Sequence, residues 1–241
     1  MPPPPAQPSP SPQPSPPLQP SPPWQFSPPS PLRRRTQLAL RVLSVVLGLG
    51  FVVNVAIVQV REATAAELPK AEYELTLPGT LLDGRYRLAR DLTSTLGRDV
   101  EEKLSHSRNS RVTHAVVARY GLHGDAGKGV LVISGFYGRL RNTGAIRAGA
   151  LKGFGAAAGK MVTVPPKDVT PAGSGTRISC EIVTDSLAGP MYTYPVCAWA
   201  DRNTSALVAE MTFSGATPDL DLKAAAGRAL RVRSEVRTRI K

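Results

Sequence analysis

Few residues of this chain have types that could do chemistry: Cys180 and Cys197, the histidines His106, His114 and His123, Ser134, and a glycine-rich run ending at Lys160. The three histidines form no two-ligand pair at helical spacing, and no further donors converge with them as a metal site requires. Ser134 precedes Gly135, but Val132 and Ile133 stand before it, so no Gly-x-Ser-x-Gly elbow exists. The run from Gly153 to Lys160 puts three residues between Gly155 and Gly159 where a phosphate loop has four. Met161 then follows the lysine where Ser or Thr belongs. The dinucleotide spacing fails in the same run. No catalytic, cofactor-binding or metal-ligating residue is therefore assigned, and an envelope enzyme is the least supported function.

The cysteines carry a clearer signal. A single pair far from Cys-x-x-Cys spacing reads as one disulfide in an oxidising compartment. The strands expected at 177–184 and 193–200 fold about residues 188 and 189, which sets Cys180 opposite Cys197. Trp199 then lies on the same face as Cys197 and packs beside the bridge.

The stretch from Leu38 to Val60 organises the rest. Its seventeen residues from Val42 to Val58 carry no charge, and about 20 apolar residues cross a bilayer as a helix. Asn54 is the one strongly polar residue inside. Arg33 to Arg35 with Ala63-Thr64-Ala65 also resemble a cleaved signal, but a signal core runs to about 15 residues and this one is longer. A retained anchor fits better. Arg33, Arg34, Arg35 and Arg41 precede or open the span, against Arg61 and Lys70 just after it, which orients the tail inside the cell and the C-terminal domain outside.

Residues 1–31 hold sixteen prolines, with Pro-x-x-Pro spacings such as Pro5 to Pro8 and Pro14 to Pro17. Such a segment builds no core and populates polyproline II; it reads as a spacer or as a docking tail for a cytoplasmic protein. The chain thus divides into a proline-rich cytoplasmic tail at 1–36, a transmembrane helix at 37–60, a linker at 61–71 and an extracytoplasmic domain at 72–241. That domain has length enough for one core. Four of the net +12 charges come from Arg33, Arg34, Arg35 and Arg41, and every acid lies beyond residue 61, which leaves +8 for the C-terminal region. A basic domain outside the cell has anionic headgroups and cell-wall polymers as counterions; nucleic acid is not the expected partner.

Within the domain the pattern predicts an α+β fold: an antiparallel sheet with about three packed helices. Strands are expected at 73–77 and 82–88. Leu92, Leu96, Val100 and Leu104 give a helix face from Asp91 to Ser107. A hairpin follows at 111–120 and 129–137, then a small-residue helix at 142–159 and a strand at 161–164 stopped by Pro165-Pro166. A meander at 177–184, 193–200 and 205–213 precedes a closing helix at 219–240. Arg228, Arg231, Arg233, Arg237 and Arg239 load the second half of that helix. Part of this charge suits a helix C-terminus, and the same arginines are the candidate contact for an anionic surface.

A basic, proline-rich tail, one span and an outer domain bearing Cys180 to Val183 (CEIV) and Val196 to Asp201 (VCAWAD) resemble uncharacterised single-pass envelope proteins of actinobacteria, Streptomyces in particular. The resemblance implies location and layout. The function expected is a membrane-anchored, non-enzymatic binding or scaffold module, with the bilayer as one partner. The alternative is a lipid- or small-ligand-binding domain using a cleft between sheet and helices.

Overall fold

The computed structural model describes residues 68–105, 107–186, 191–213 and 219–241. The proline-rich tail, the span expected at 37–60, most of the linker, His106 and the turn around residues 188 and 189 lie outside the described residues. No helix among the described residues is long and apolar enough to cross a membrane.

An antiparallel α+β fold emerges, with three α-helices among the described residues. In chain order, β1 is Tyr73–Leu75, β2 Thr80–Leu81 and β3 Tyr86–Asp91. A π-helical turn, Thr93–Gly97, leads into α1 (Arg98–Leu104). Then come β4 (Ser110–Leu122), β5 (Gly129–Leu140), α2 (Thr143–Gly155), β6 (Lys160–Asp168), β7 (Ile178–Asp185), β8 (Tyr192–Ala200), β9 (Thr204–Thr212), α3 (Leu222–Val236) and β10 (Arg237–Arg239). Eight strands form one sheet in the order β2-β3-β4-β5-β9-β8-β7-β6, and β1 pairs with β10 separately.

Both faces of the central strands are covered, which is why they read as nearly continuous apolar runs. Leu131 and Ile133 of β5 pack with Ala225, Ala226, Ala229 and Val232 of α3. Val130 and Val132, the alternate residues, share a core with Leu151 and Phe154 of α2. A third cluster sets Leu96 and Val100 against Ala115 and Val117 of β4. Two glycines allow close approach: a Cβ on Gly135 would lie 2.9 Å from Leu75 of β1, and one on Gly155 would lie 2.4 Å from Val162.

Several expected boundaries move, each for a local reason. The stretch 82–88 splits because Leu82, Asp83 and Gly84 take positive φ and turn the chain between β2 and β3. The helix expected from Asp91 starts later, since the Leu92 amide still donates to Val117 across the sheet at 2.8 Å. Strand β6 runs through Pro165-Pro166 instead of stopping there. It is an edge strand, where a missing N–H is tolerated, and its register shifts between Val162 and Lys167. Helix α3 is capped by Asp221, whose side chain accepts from the amides of Lys223 and Ala224. It ends at Val236, because Arg237–Arg239 pairs as a strand with β1 and the Arg237 guanidinium stacks 3.2 Å from the Tyr73 ring centre.

Cys180 and Cys197 are direct cross-strand partners and are joined by a disulfide. Trp199, fully buried, belongs to the same core as the bridge. Replacing both cysteines (Cys180→Ala with Cys197→Ala) is expected to lower the unfolding free energy by about 3 kcal/mol, read as a lower denaturant midpoint. A loss below about 1 kcal/mol would mean the sheet pairing alone restrains these strands.

Candidate functional site

The arginines of the closing helix are distributed unequally. Arg228, largely buried, donates through Nε to Glu210 at 2.5 Å and through Nη1 to Asp219 at 2.7 Å. Glu210 also accepts from the Tyr86 hydroxyl at 2.8 Å. These two carboxylates outweigh the burial that would lower the Arg228 pKa and hold it above its ordinary value. Arg233 donates to Asp201 at 2.6 Å, with the Arg237 guanidinium 3.4 Å from the same oxygen. Burial pushes the Asp201 pKa up, but Arg233 and the amides of Asn203 and Thr204 outweigh it and hold the carboxyl below its usual range. Arg231 is exposed and reaches Asp83 at 3.1 Å. Arg239 lies exposed on β10. Three of the five therefore answer internal carboxylates, and only Arg231 and Arg239 present an open face to solvent.

A second polar group lies on the opposite face of the sheet, beneath α2. Because Cys180 points towards α3, the alternate residues of β7, Ser179, Glu181, Val183 and Asp185, point towards α2. The side chain of Lys160, at the start of β6, is fully buried; its Nζ donates to Asp185, donates to the Tyr194 hydroxyl at 3.0 Å, and sits 4.7 Å from the Phe154 ring centre. Burial lowers the Lys160 pKa against the opposing pull of Asp185. Arg147 of α2 donates to Ser179 at 2.9 Å. Amine, carboxylate and phenol are the groups of acid–base chemistry, yet all are buried. Their geometry ties β6 and α2 onto the sheet. The glycine-rich run before Lys160, unsuited to phosphate, thus ends in a structural ion pair.

Glu181 is the exception. It is 1% exposed, its Oε1 has no hydrogen-bond partner among the described residues, and burial pushes its pKa up to about 7. The signal was present in the sequence: a strand buried on both faces that carries acids at two same-face positions. It becomes legible only once the disulfide fixes which face is which.

One groove on the domain holds open space. Glu101, Glu102, Ser105, Arg111, Val112 and Thr113 line about 430 Å³ between α1 and β4. His114 pairs with Glu101 at its back, at 2.5 Å. Between the sheet and α3 the cavity beside Arg228 measures only about 10 Å³. No group of three or more His, Cys, Asp or Glu suited to a metal ion occurs among the described residues. No protein-family model, curated protein or solved structure matches the chain.

The elevated Glu181 pKa has a definite consequence for stability. The folded protein keeps a proton that the unfolded chain releases near pH 4.5, the ordinary range of a glutamate. Stability therefore falls as pH rises from about 4.5 to about 7 and levels off above that, where the full penalty stands. Tyr194 of β8 is an ionisable group that Glu181 interacts with, and Arg147 of α2 bonds Ser179 on the same face of β7. Glu181→Gln is expected to flatten this slope and to raise stability at pH 8 by up to about 3 kcal/mol. Denaturant unfolding of both proteins across pH 4–8 checks it, and parallel slopes would refute it.

Proposed function

We propose that this chain is a single-pass membrane protein whose extracytoplasmic α+β domain binds or scaffolds without catalysing a reaction, while its proline-rich tail recruits a cytoplasmic partner. The observation that carries the reading is the Cys180–Cys197 bridge in the core of the domain. Such a bridge persists in an oxidising compartment, and the uncharged run from Val42 to Val58 offers the way to reach it. The filled interior between sheet and α3 supports a binding mode that uses the surface. A lipid in a central cleft would need hundreds of Å³, against the roughly 10 Å³ beside Arg228. The same packing weakens the lipid-cleft alternative; a small polar ligand in the α1–β4 groove is its surviving form.

Cys180 and Cys197 are too buried for thiol reagents to reach in the folded state, so topology is better read with tags. With one epitope before residue 1 and another after Lys241, protease added to intact cells is expected to remove the C-terminal tag and spare the N-terminal one. Alkylation after denaturation is expected to label the cysteines only when a reductant is added. Removal of the N-terminal tag alone, or free thiols without reductant, would overturn the reading.

A further inference from the structure

The arginines of α3 are answered by carboxylates, but a second set of cations elsewhere on the domain is not. The start of β4, the end of β5, the β8–β9 turn, β10 and the first described residues meet at one end of the sheet. Leu140 donates to Arg202 at 2.8 Å, Arg141 to Asn109 at 2.9 Å, the Asn203 side chain to Lys70 at 2.6 Å, and Ile240 to Glu72 at 3.0 Å, all at backbone carbonyls. Lys70, Arg108, Arg111, Arg139, Arg202 and Arg239 are all exposed at this pole. None of them enters an ion pair among the described residues. The acids nearby are fewer: Glu72 just before β1, Glu74 on it, and Glu101 and Glu102 at the rim, while Asp201 is already held by Arg233 and Arg237.

Two details separate this pole from an ordinary solvated surface. Arg111 and Arg139 are direct cross-strand partners, and like charges placed opposite each other on one face destabilise a sheet. Ile240, 41% exposed, stands beside Arg239, and an apolar side chain among cations is the pairing that interfacial segments use.

We infer that this pole docks on anionic lipid headgroups of the bilayer that anchors the chain. The inference rests on the reading of residues 37–60 as a retained span and names the surface by which the domain meets it. The pole includes Lys70, and the nine residues 61–69 reach at most about 32 Å from the end of the span. Tethering at this point holds the cationic end near the headgroups, within reach of a surface potential that decays over about 10 Å at 0.1 M salt. Each Lys or Arg that meets an anionic surface adds about fivefold in partition. The tether and the charge both favour lipid over a soluble polymer, which has no reason to select this end.

The test uses the full chain reconstituted in vesicles of phosphatidylcholine alone or with one-third phosphatidylglycerol. Amide hydrogen exchange is followed at 107–113, 137–142, 201–204 and 237–241. Exchange at these segments is expected to slow at least threefold in the anionic vesicles only, and to recover in high salt. Arg139→Glu with Arg202→Glu should abolish the effect, and Arg231→Glu on α3 should leave it intact. The salt titration of the unmodified protein keeps the test decisive if the double variant folds poorly. Equal exchange in both vesicles, with the chain inserted, would overturn docking while leaving the anchor standing. Slowing produced equally by a soluble glycerol-phosphate polymer over neutral vesicles would overturn the choice of lipid. A chain that floats with anionic but not neutral vesicles would refute the retained span and uphold the pole. A chain that floats with neither would refute both.

Discussion

Strands β7 and β8 are buried on both faces, and that single constraint governs what their polar groups must do. A buried donor or acceptor left without a partner costs on the order of 1–3 kcal/mol, so each inward polar side chain is matched. Lys160 reaches from the edge strand to Asp185 and Tyr194. The Trp199 indole donates to Thr204 at 3.4 Å, and the Ser205 hydroxyl donates to the Trp199 carbonyl at 3.0 Å. Asp201 closes the β8–β9 turn by accepting from the amides of Asn203 and Thr204, and it holds two arginines from the far end of the chain. The disulfide belongs to this set, since it occupies a cross-strand position that water cannot reach. On β7 and β8 Glu181 departs from the rule, since its Oε1 has no hydrogen-bond partner among the described residues, and burial raises its pKa to about 7.

The distribution of positive charge follows from the same geometry. Helix α3 lies across the sheet with its arginines at the margins of an apolar stripe, where Glu210 projects from β9 and Asp201 from the β8–β9 turn. Those arginines serve the fold. Cations at the end of the sheet have strand termini and turns around them, which offer backbone carbonyls but few carboxylates. The cations of the C-terminal region therefore include a matched set on α3 and an unmatched set at the pole where the chain enters the domain.

Much of the fold was legible because its signals were local. The β4–β5 hairpin, the three-strand meander and the Cys180–Cys197 pairing follow from alternation, from glycine and asparagine turns, and from the arithmetic of one hairpin. Trp199 fell beside the bridge for the same reason. What failed was set at long range. Pro165 and Pro166 stop a central strand but not an edge strand, and no local pattern distinguishes the two. Residues 237–239 have helical company on one side only; what draws them into a strand is Tyr73, more than 160 positions away. The arginine row looked like one surface for a similar reason, because its partners Glu210, Asp201 and Asp83 come from other parts of the chain.

The way the sheet ends also limits how this domain can be used. One edge is β2, only two residues long. The other is β6, where two adjacent prolines remove N–H donors and the register slips twice. The shortness of β2 and the prolines of β6 make these two strands poor templates for an added strand. The interior is closed as well, filled by Trp199, Tyr120, Leu131, Ile133 and the disulfide. Among the described residues, the α1–β4 groove and the cationic end of the sheet are two open surfaces. Arg111 lines the groove and also stands opposite Arg139 at that end. The two surfaces are therefore contiguous, and a charge change at Arg111 acts on both.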